Sequence, residues 1–284
     1  MKEFHKQKNK YVKQIVLKVR DLNKSLDFYQ KILGFDVLEK TANKVLLTAD
    51  GSTPIITLTS YANIIKKLPK RKGLYHFAIL LPERFQLGLF IKNLRENNYE
   101  ITGGTDHGVS EAIYLKDPDD NGIEVYSDLD SSEWNRKNGQ IEMITDPLDY
   151  EDILDEAGDR VWDGIPKKAK IGHIHLHVGN LEKAEEFYVQ GLGFNLIQKM
   201  GRSALFLSTG GYHHHIGLNT WNGVGADPQP ENAAGMSYYI IKFPDQKTIN
   251  ESIENLKKLG YKIIEKENDI FTEDPAGNFI KLVI

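Results

Sequence analysis

The segment IGHIHLHV, residues 171–178, places His173, His175 and His177 at every second position. Alternate side chains of a strand share one face, so the three imidazoles would line a common surface, as in a metal site. Neighbours on that face are about 6.6–6.8 Å apart, whereas a first-row metal holds imidazole nitrogen at about 2 Å. One flat strand therefore cannot wrap three ligands around one ion, and a metal site needs partners from elsewhere in the chain.

The composition is that of a soluble globular protein. The 284 residues are 40% apolar and 27% charged with a net charge of −4, so nothing favours nucleic acid or an anionic membrane. The absence of cysteine excludes disulfide and thiolate chemistry and fits a cytoplasmic location. The N-terminal MKEFHKQKNK lacks the apolar core of a signal peptide, and no apolar run approaches the roughly 20 residues of a membrane span. We expect a cytoplasmic protein without nucleic-acid or membrane partners.

The elements that must position reactive residues come from an internal duplication. Residues 21–35, DLNKSLDFYQKILGF, match residues 180–194, NLEKAEEFYVQGLGF, at a fixed offset of 159. Two further pairs are GLYHFAILLP at 73–82 with GMSYYIIKFP at 235–244, and DPDDNGIEVY at 117–126 with DPAGNFIKLVI at 274–284. Similarity at a fixed offset indicates duplication of a structural unit.

The duplication divides the chain into halves 11–128 and 170–284, joined by a linker at 129–169. Each half contains two units in which an apolar strand precedes a helix and further strands, which predicts an α+β fold of four tandem βαβββ modules. Predicted first strands are 13–20, 74–81, 171–178 and 237–243; predicted helices are 22–32, 83–97, 181–190 and 245–259; predicted later strands include 44–49, 54–59, 112–116, 122–126, 203–207 and 214–219. A short helix near 149–157 predicts that the linker has structure of its own.

The motifs DLxxSLxFYxxxLGF, YHFAILL and DPDDNGIEVY resemble the vicinal oxygen chelate superfamily. Its members include glyoxalase I, fosfomycin- and bleomycin-resistance proteins, and extradiol ring-cleaving dioxygenases. The resemblance covers nearly the whole chain outside the linker and is closest to the two-domain, catechol 2,3-dioxygenase-like enzymes that degrade aromatic compounds. It implies that pairs of modules close into curved-sheet domains around a metal, with ligands from a module's first strand and from a Glu on its last strand.

The family's ligand positions are unevenly filled in the four modules. In chain order, the first-strand positions are Gln14, His76, His173 and Tyr238, and the last-strand positions are Thr57, Glu124, Gly217 and Lys281. Only His76, His173 and Glu124 suit a metal dication, and they match the two-histidine, one-carboxylate set of Fe(II) oxygenases, which Mn(II) also accepts. The resemblance therefore implies that modules 2 and 3 pair across the linker, whereas typical two-domain extradiol enzymes build the site from modules 3 and 4.

Two further segments match the dioxygenases. In FLSTGGYHHHIGLN, residues 206–219, the resemblance assigns an acid–base catalyst to His214, with His213 and His215 as structural or surface residues. In TDHGVSEAIYLKDPDDNGIEVY, residues 105–126, it assigns His107 and Tyr114 to hydrogen bonding with the substrate hydroxyls or with oxygen-derived intermediates. The implied reaction is extradiol (meta) ring cleavage with O2 of a small aromatic diol, either catechol or a substituted diol of the catechol or hydroquinone type.

Three functions are weighed on these residues. The extradiol dioxygenase is favoured over a glyoxalase-type isomerase or thiol transferase, because those sites usually have four protein ligands and Gly217 cannot be one. A non-catalytic protein that binds an aromatic ligand is disfavoured by the three retained ligand residues. His175 and His177 are expected to line the barrel interior, with contact to substrate or support of the ligands as the alternative. The identity of the diol and the oligomeric state stay open, a homo-oligomer included.

Overall fold

The duplicated segments fold into four copies of one unit. The computed structural model describes residues 4–6, 8–137 and 140–284. Module 1 contains β1 (Tyr11–Lys18), α1 (Leu22–Lys31), β2 (Asp36–Lys40), β3 (Lys44–Thr48) and β4 (Pro54–Thr59). Module 2 contains β5 (Gly73–Leu81), α2 (Arg84–Glu96), β6 (Gly103–Asp106), β7 (Ser110–Lys116) and β8 (Gly122–Asp128).

The second half repeats this order after the linker. The linker carries β9 (Arg136–Lys137), β10 (Gln140–Ile141), β11 (Asp146–Pro147) and α3 (Tyr150–Ala157). Module 3 contains β12 (Lys170–His177), α4 (Leu181–Glu185) continued by a π-helical turn (Glu186–Gly191), β13 (Asn195–Met200), β14 (Ala204–Ser208) and β15 (Ile216–Asn219). Module 4 contains β16 (Gly235–Lys242), α5 (Gln246–Lys258), β17 (Ile263–Lys266), β18 (Asp269–Glu273) and β19 (Phe279–Val283). The α+β class and the βαβββ modules are confirmed.

The modules combine into two mixed sheets, each with one module from each half. The nine-stranded sheet has the order β11-β6-β7-β8-β5-β12-β15-β14-β13, so modules 2 and 3 join through the antiparallel pair β5–β12. The eight-stranded sheet has the order β17-β18-β19-β16-β1-β4-β3-β2, so modules 1 and 4 join through β1–β16. The pairing implied by the ligand positions is therefore confirmed, while the boundaries of the halves, 11–128 and 170–284, stay a prediction.

A buried hydrogen bond ties together the two modules of each half, which lie in different sheets. The hydroxyl of Tyr29 on α1 donates to Asp117 Oδ2 in the turn before β8, at 2.9 Å. Its repeat, Tyr188, donates to Asp274 Oδ2 before β19, at 2.8 Å. Both tyrosines are fully buried and both aspartates nearly so. This contact explains why the Phe-Tyr and Asp-Pro motifs both recur in the duplicated sequence.

The linker has structure of its own, as predicted, and the structure shows that it packs against module 2. Its strand β11 pairs with β6, and α3 lies against α2. A Cβ atom on Gly88 of α2 would lie 2.4 Å from the carbonyl oxygen of Ile153, so only glycine permits this close helix approach. The predicted helix at 149–157 is confirmed, because α3 spans Tyr150–Ala157 with Asp149 as its N-cap.

The predicted strand at 214–219 is wrong at its start. β15 begins at Ile216, and the histidines before it lie in a loop. Gly210 and Gly211 both have positive φ, at 69° and 81°, and turn the chain sharply after β14. The side chains of His213 and His214 then contact each other instead of alternating across a sheet. In the part of the chain that the structure describes, no helix is long and apolar enough to cross a membrane.

Candidate metal centre and active site

Three adjacent strands at the middle of the nine-stranded sheet carry His76, Glu124 and His173. They lie on β5, β8 and β12, and the strand register sets Ala78 opposite both Glu124 and His173. The small methyl group of Ala78 leaves room for the two longer side chains on either side. Gly122 lies opposite His76, where a Cβ would come within 2.3 Å of a backbone oxygen. The predicted ligands, about 50 residues apart in sequence, are therefore brought together by the sheet.

The three side chains converge on one point and are almost completely buried. Glu124 Oε2 lies 3.1 Å from His76 Nε2 and 3.2 Å from His173 Nε2. One ligand atom from each residue lies within 4.8 Å of the other two. His76 Nε2 has no hydrogen-bond partner among the described residues, although burial of an unpaired nitrogen costs free energy. A divalent metal ion would be a partner for all three atoms, so these residues fit such an ion.

The protonation states suit metal binding. Burial lowers the pKa of His173 to about 4, so this imidazole is neutral at pH 7 and can offer a lone pair. Burial opposes the charged form of Glu124, but the contacts of His173 and His76 outweigh it and hold the pKa of that carboxyl well below its usual value. The cluster thus presents neutral imidazole and a carboxylate to a cation.

His175 and His177 lie further along β12 and line the same cavity, as expected. His175 is opposite Gly217 of β15, where a Cβ would lie 2.8 Å from its imidazole Cγ. The ring of His175 therefore occupies the space that a fourth ligand at position 217 would need. His177 is held by Asn219, whose Oδ1 accepts from its Nδ1 at 2.6 Å. Neither histidine belongs to the ligand cluster.

His214 lines the cavity beside the metal cluster. Its ring centroid lies 4.0 Å from that of His173. Burial, followed by the neighbouring His173, lowers the pKa of His214, so the ring is neutral at pH 7. His213 and His215 do not line the cavity and are fully buried, so a surface position is wrong for both, while their structural role stays a prediction.

His107 and Tyr114 form a pair on the other side of the cluster. Tyr114 is opposite Glu124 in the β7–β8 register, and His107 follows β6. The carbonyl oxygen of Ile144 accepts a hydrogen bond from His107 Nδ1 at 2.9 Å, and His107 Nε2 lies 2.8 Å from the Tyr114 hydroxyl oxygen, within hydrogen-bond distance. Burial and the charge of Glu124 raise the pKa of Tyr114, which keeps its hydroxyl protonated.

The cavity around the cluster has a volume of about 1510 Å³ and is lined in part by two cross-linked loops. One loop joins β4 to β5 and the other joins β15 to β16. Gln229 holds them together, because its side-chain amide accepts from Leu68 N at 2.9 Å and donates to Leu68 O at 2.7 Å. Trp221 and Phe206 add aromatic walls that the sequence did not identify, since neither belongs to a repeated motif.

Asp128 is a further site residue that the sequence did not identify. It ends β8 four residues after Glu124, and hence on the same face of the strand. Its carboxylate accepts from His213 Nε2 at 2.9 Å. Its even spacing from Glu124 was the feature of the sequence that could have identified Asp128 as a site residue.

The fold and site agree with the family comparisons. The chain belongs to the Glyoxalase/Bleomycin resistance protein/Dioxygenase superfamily, whose family model matches residues 11–125 and 170–282. It is 46% identical over 273 residues to the catechol-2,3-dioxygenase of Bacillus subtilis (strain 168), an alignment that covers 94% of this chain and 95% of that protein.

Two solved structures show the same fold at low sequence identity. A Bacillus subtilis protein proposed to be a dioxygenase has a TM-score of 0.70 at 15% identity, covering 97% of this chain and 85% of that chain. Glyoxalase I from Zea mays has a TM-score of 0.59 at 18% identity, covering 96% and 92%. Identities this low support the architecture alone, so the choice between the reactions depends on the site.

Proposed function

We propose that this chain is an extradiol ring-cleaving dioxygenase that opens catechol or a substituted catechol with O2. Its metal would be Fe(II), with Mn(II) as the alternative, held by His76, His173 and Glu124. The observation that carries the proposal is the three-ligand cluster with no side chain at Gly217, which leaves coordination positions for a diol and O2. The identity to a catechol-2,3-dioxygenase supports the same reaction.

When bound, Fe(II) would supply Lewis acidity toward the diol oxygens and electrons toward O2. The protein residues bind the substrate and move protons. We assign proton acceptance from a diol hydroxyl to His214, which is neutral and lies beside the cluster. The Tyr114 hydroxyl, held by His107, is assigned to hydrogen bonding with a substrate oxygen. Phe206 and Trp221 are assigned to packing against the aromatic ring.

The test is an assay of the full chain purified without oxygen and reconstituted with Fe(II) or, separately, Mn(II). We expect oxygen consumption in step with a yellow ring-cleavage product on a panel of catechol and alkylcatechols. No oxygen uptake across the panel would contradict the proposal. Isomerisation of a hemithioacetal without oxygen uptake would favour the glyoxalase-type alternative, which the missing fourth ligand disfavours.

The ligand assignment is tested separately by metal analysis. His173→Ala should lose most of the bound iron, because it removes one of three ligand atoms. His177→Ala is the matched control, since it lies on the same strand and face but outside the cluster, and it should retain iron. Full iron occupancy in His173→Ala would refute the assignment.

A further inference from the structure

A chain of hydrogen bonds runs from Asp128 through His213 to His214. His213 Nε2 lies 2.9 Å from Asp128 Oδ1, and His213 Nδ1 lies 2.8 Å from His214 Nδ1. His213 is fully buried and packs against Tyr212, with ring centroids 3.9 Å apart and the ring planes tilted by 36°. Trp134 of the linker packs against its edge at 5.3 Å. The proposed function does not use these contacts, although they hold the residue that it assigns to proton transfer.

The direction of each hydrogen bond follows from the carboxylate. A carboxylate only accepts, so His213 must carry its proton on Nε2 to donate to Asp128. The neutral form of His213 has one N–H, so in that form Nδ1 is a bare acceptor. His214 must therefore donate from its own Nδ1, which leaves its Nε2 unprotonated. His214 makes its hydrogen bond to His213 through Nδ1, and its ring lines the cavity.

We propose that Asp128 and His213 are positioning residues that fix His214 in the Nδ1–H tautomer, so that a bare Nε2 is presented to the cavity. The catalytic consequence rests on the proposed function, because a base for a diol hydroxyl needs this free nitrogen. In the opposite tautomer the lone pair would point at His213 and the cavity would face an N–H. The pair thus selects the state of His214 that can accept a proton.

The carboxylate is itself held in place by a second donor to the oxygen that accepts from His213. Tyr212 donates its hydroxyl to Asp128 Oδ1 at 3.1 Å and accepts from the Tyr126 hydroxyl at 2.6 Å. Tyr126 shares the face of β8 with Glu124 and Asp128. One strand therefore carries both a predicted metal ligand and the acceptor that orients the proton-transfer residue.

Two replacements of His213 separate positioning from packing. His213→Asn places an amide oxygen near the position of Nδ1, so it can still accept from His214. His213→Phe keeps an aromatic ring between Tyr212 and Trp134 but has no acceptor. We expect kcat of His213→Phe on catechol to fall by about 100-fold, within the usual contribution of acid–base catalysis, with KM changed less than about threefold. His213→Asn should retain at least about a tenth of wild-type kcat while being the less thermally stable variant.

A readout independent of turnover is the tautomer of His214. The full chain, labelled with ¹⁵N-histidine and loaded with diamagnetic Zn(II), is studied by NMR at pH 7.5, with His214 assigned from His214→Gln. We expect a protonated Nδ1 and a bare Nε2 on His214, and the reverse on His213. In His213→Phe the population of the Nε2–H form of His214 should rise.

The outcomes separate the two proposals. Wild-type His214 in the Nε2–H form would overturn the inference, whatever the enzyme's activity. The inference would also be overturned if His213→Phe were both more stable and more active than His213→Asn, because packing alone would then explain the loss of activity. The expected tautomer in a chain that consumes no oxygen with any diol would support the inference and refute the proposed function.

Discussion

Replacing Tyr29 by phenylalanine tests whether the duplicated tyrosine–aspartate contact stabilises the fold. The variant removes one hydroxyl and keeps the ring among its buried neighbours. It deletes the 2.9 Å hydrogen bond to Asp117. That carboxylate retains three other donors, namely the backbone amide of Asp119 and both the backbone and side-chain amides of Asn121. Asp117 is therefore left under-satisfied but not isolated.

The expected loss follows from the charge and the burial. A hydrogen bond to a charged group contributes about 1.5–3 kcal/mol, and the remaining donors place the cost near 2 kcal/mol. For 284 residues the entropy of unfolding is about 0.6 kcal/mol/K, so the midpoint of thermal unfolding should fall by about 3 °C. Tyr61→Phe is the control, because this tyrosine is half exposed and its loss should be within about 0.5 kcal/mol.

The pH dependence of this stability loss is a second test of the hydrogen bond to Asp117. Burial raises the pKa of Asp117, and the hydrogen bond from Tyr29 opposes that rise. Removing the Tyr29 hydroxyl raises the pKa of Asp117 further. The loss of stability in Tyr29→Phe is therefore present where Asp117 is ionised, and it shrinks as the pH falls through the pKa of Asp117. Urea unfolding at neutral and acidic pH measures both differences. A loss below about 0.5 kcal/mol at pH 7, or one that grows in acid, would refute the reasoning.

Three other perturbations follow from the geometry. Gly172→Ala would place a Cβ 1.8 Å from the Tyr126 hydroxyl oxygen, so urea unfolding should show a loss of at least about 2 kcal/mol; unchanged stability would contradict the packing. Gly217→Ala would push the ring of His175 aside, so kcat should fall about tenfold while iron content by metal analysis stays constant. Burial lowers the pKa of His5 from 6.5 to about 3, so the stability that the neutral ring contributes is lost as the pH falls below 6.5. In His5→Gln, the free energy of unfolding measured in urea should therefore decrease less steeply between pH 6.5 and acid. An unchanged decrease would refute this reasoning.

Much of the fold could be predicted because the chain duplicates itself. Fixed-offset repeats defined four modules, and alignment of their first strands selected His76 and His173. Their distribution then implied that modules 2 and 3 pair, which the antiparallel pairing of β5 with β12 confirms. Repetition is informative here because each copy must bury the same faces and close the same turns, so departures from the pattern at Gln14 or Lys281 identify the modules that lack ligands.

The parts that could not be predicted depend on contacts between segments that do not repeat. The turn at Gly210 and Gly211 moves the start of β15 and brings His213 against His214, which alternation along a strand does not anticipate. The link between the loops through Gln229 is a tertiary contact across 161 residues with no local periodic signal. These segments shape the cavity, so its substrate-facing walls were less predictable than its metal cluster.

The eight-stranded sheet provides an internal comparison for the metal cluster. At its equivalent positions, Gln14 donates to Thr57 Oγ1 at 2.7 Å, and Lys281 pairs with Asp269. Each of these side chains therefore has a hydrogen-bond or ion-pair partner, as buried polar groups usually do. In the nine-stranded sheet, His76 Nε2 lies buried without a hydrogen bond at the same place, which costs about 1–3 kcal/mol. The two sheets therefore differ at this position, and the cluster with the unpaired His76 nitrogen gains stability from a cation. Metal binding should therefore stabilise the whole fold.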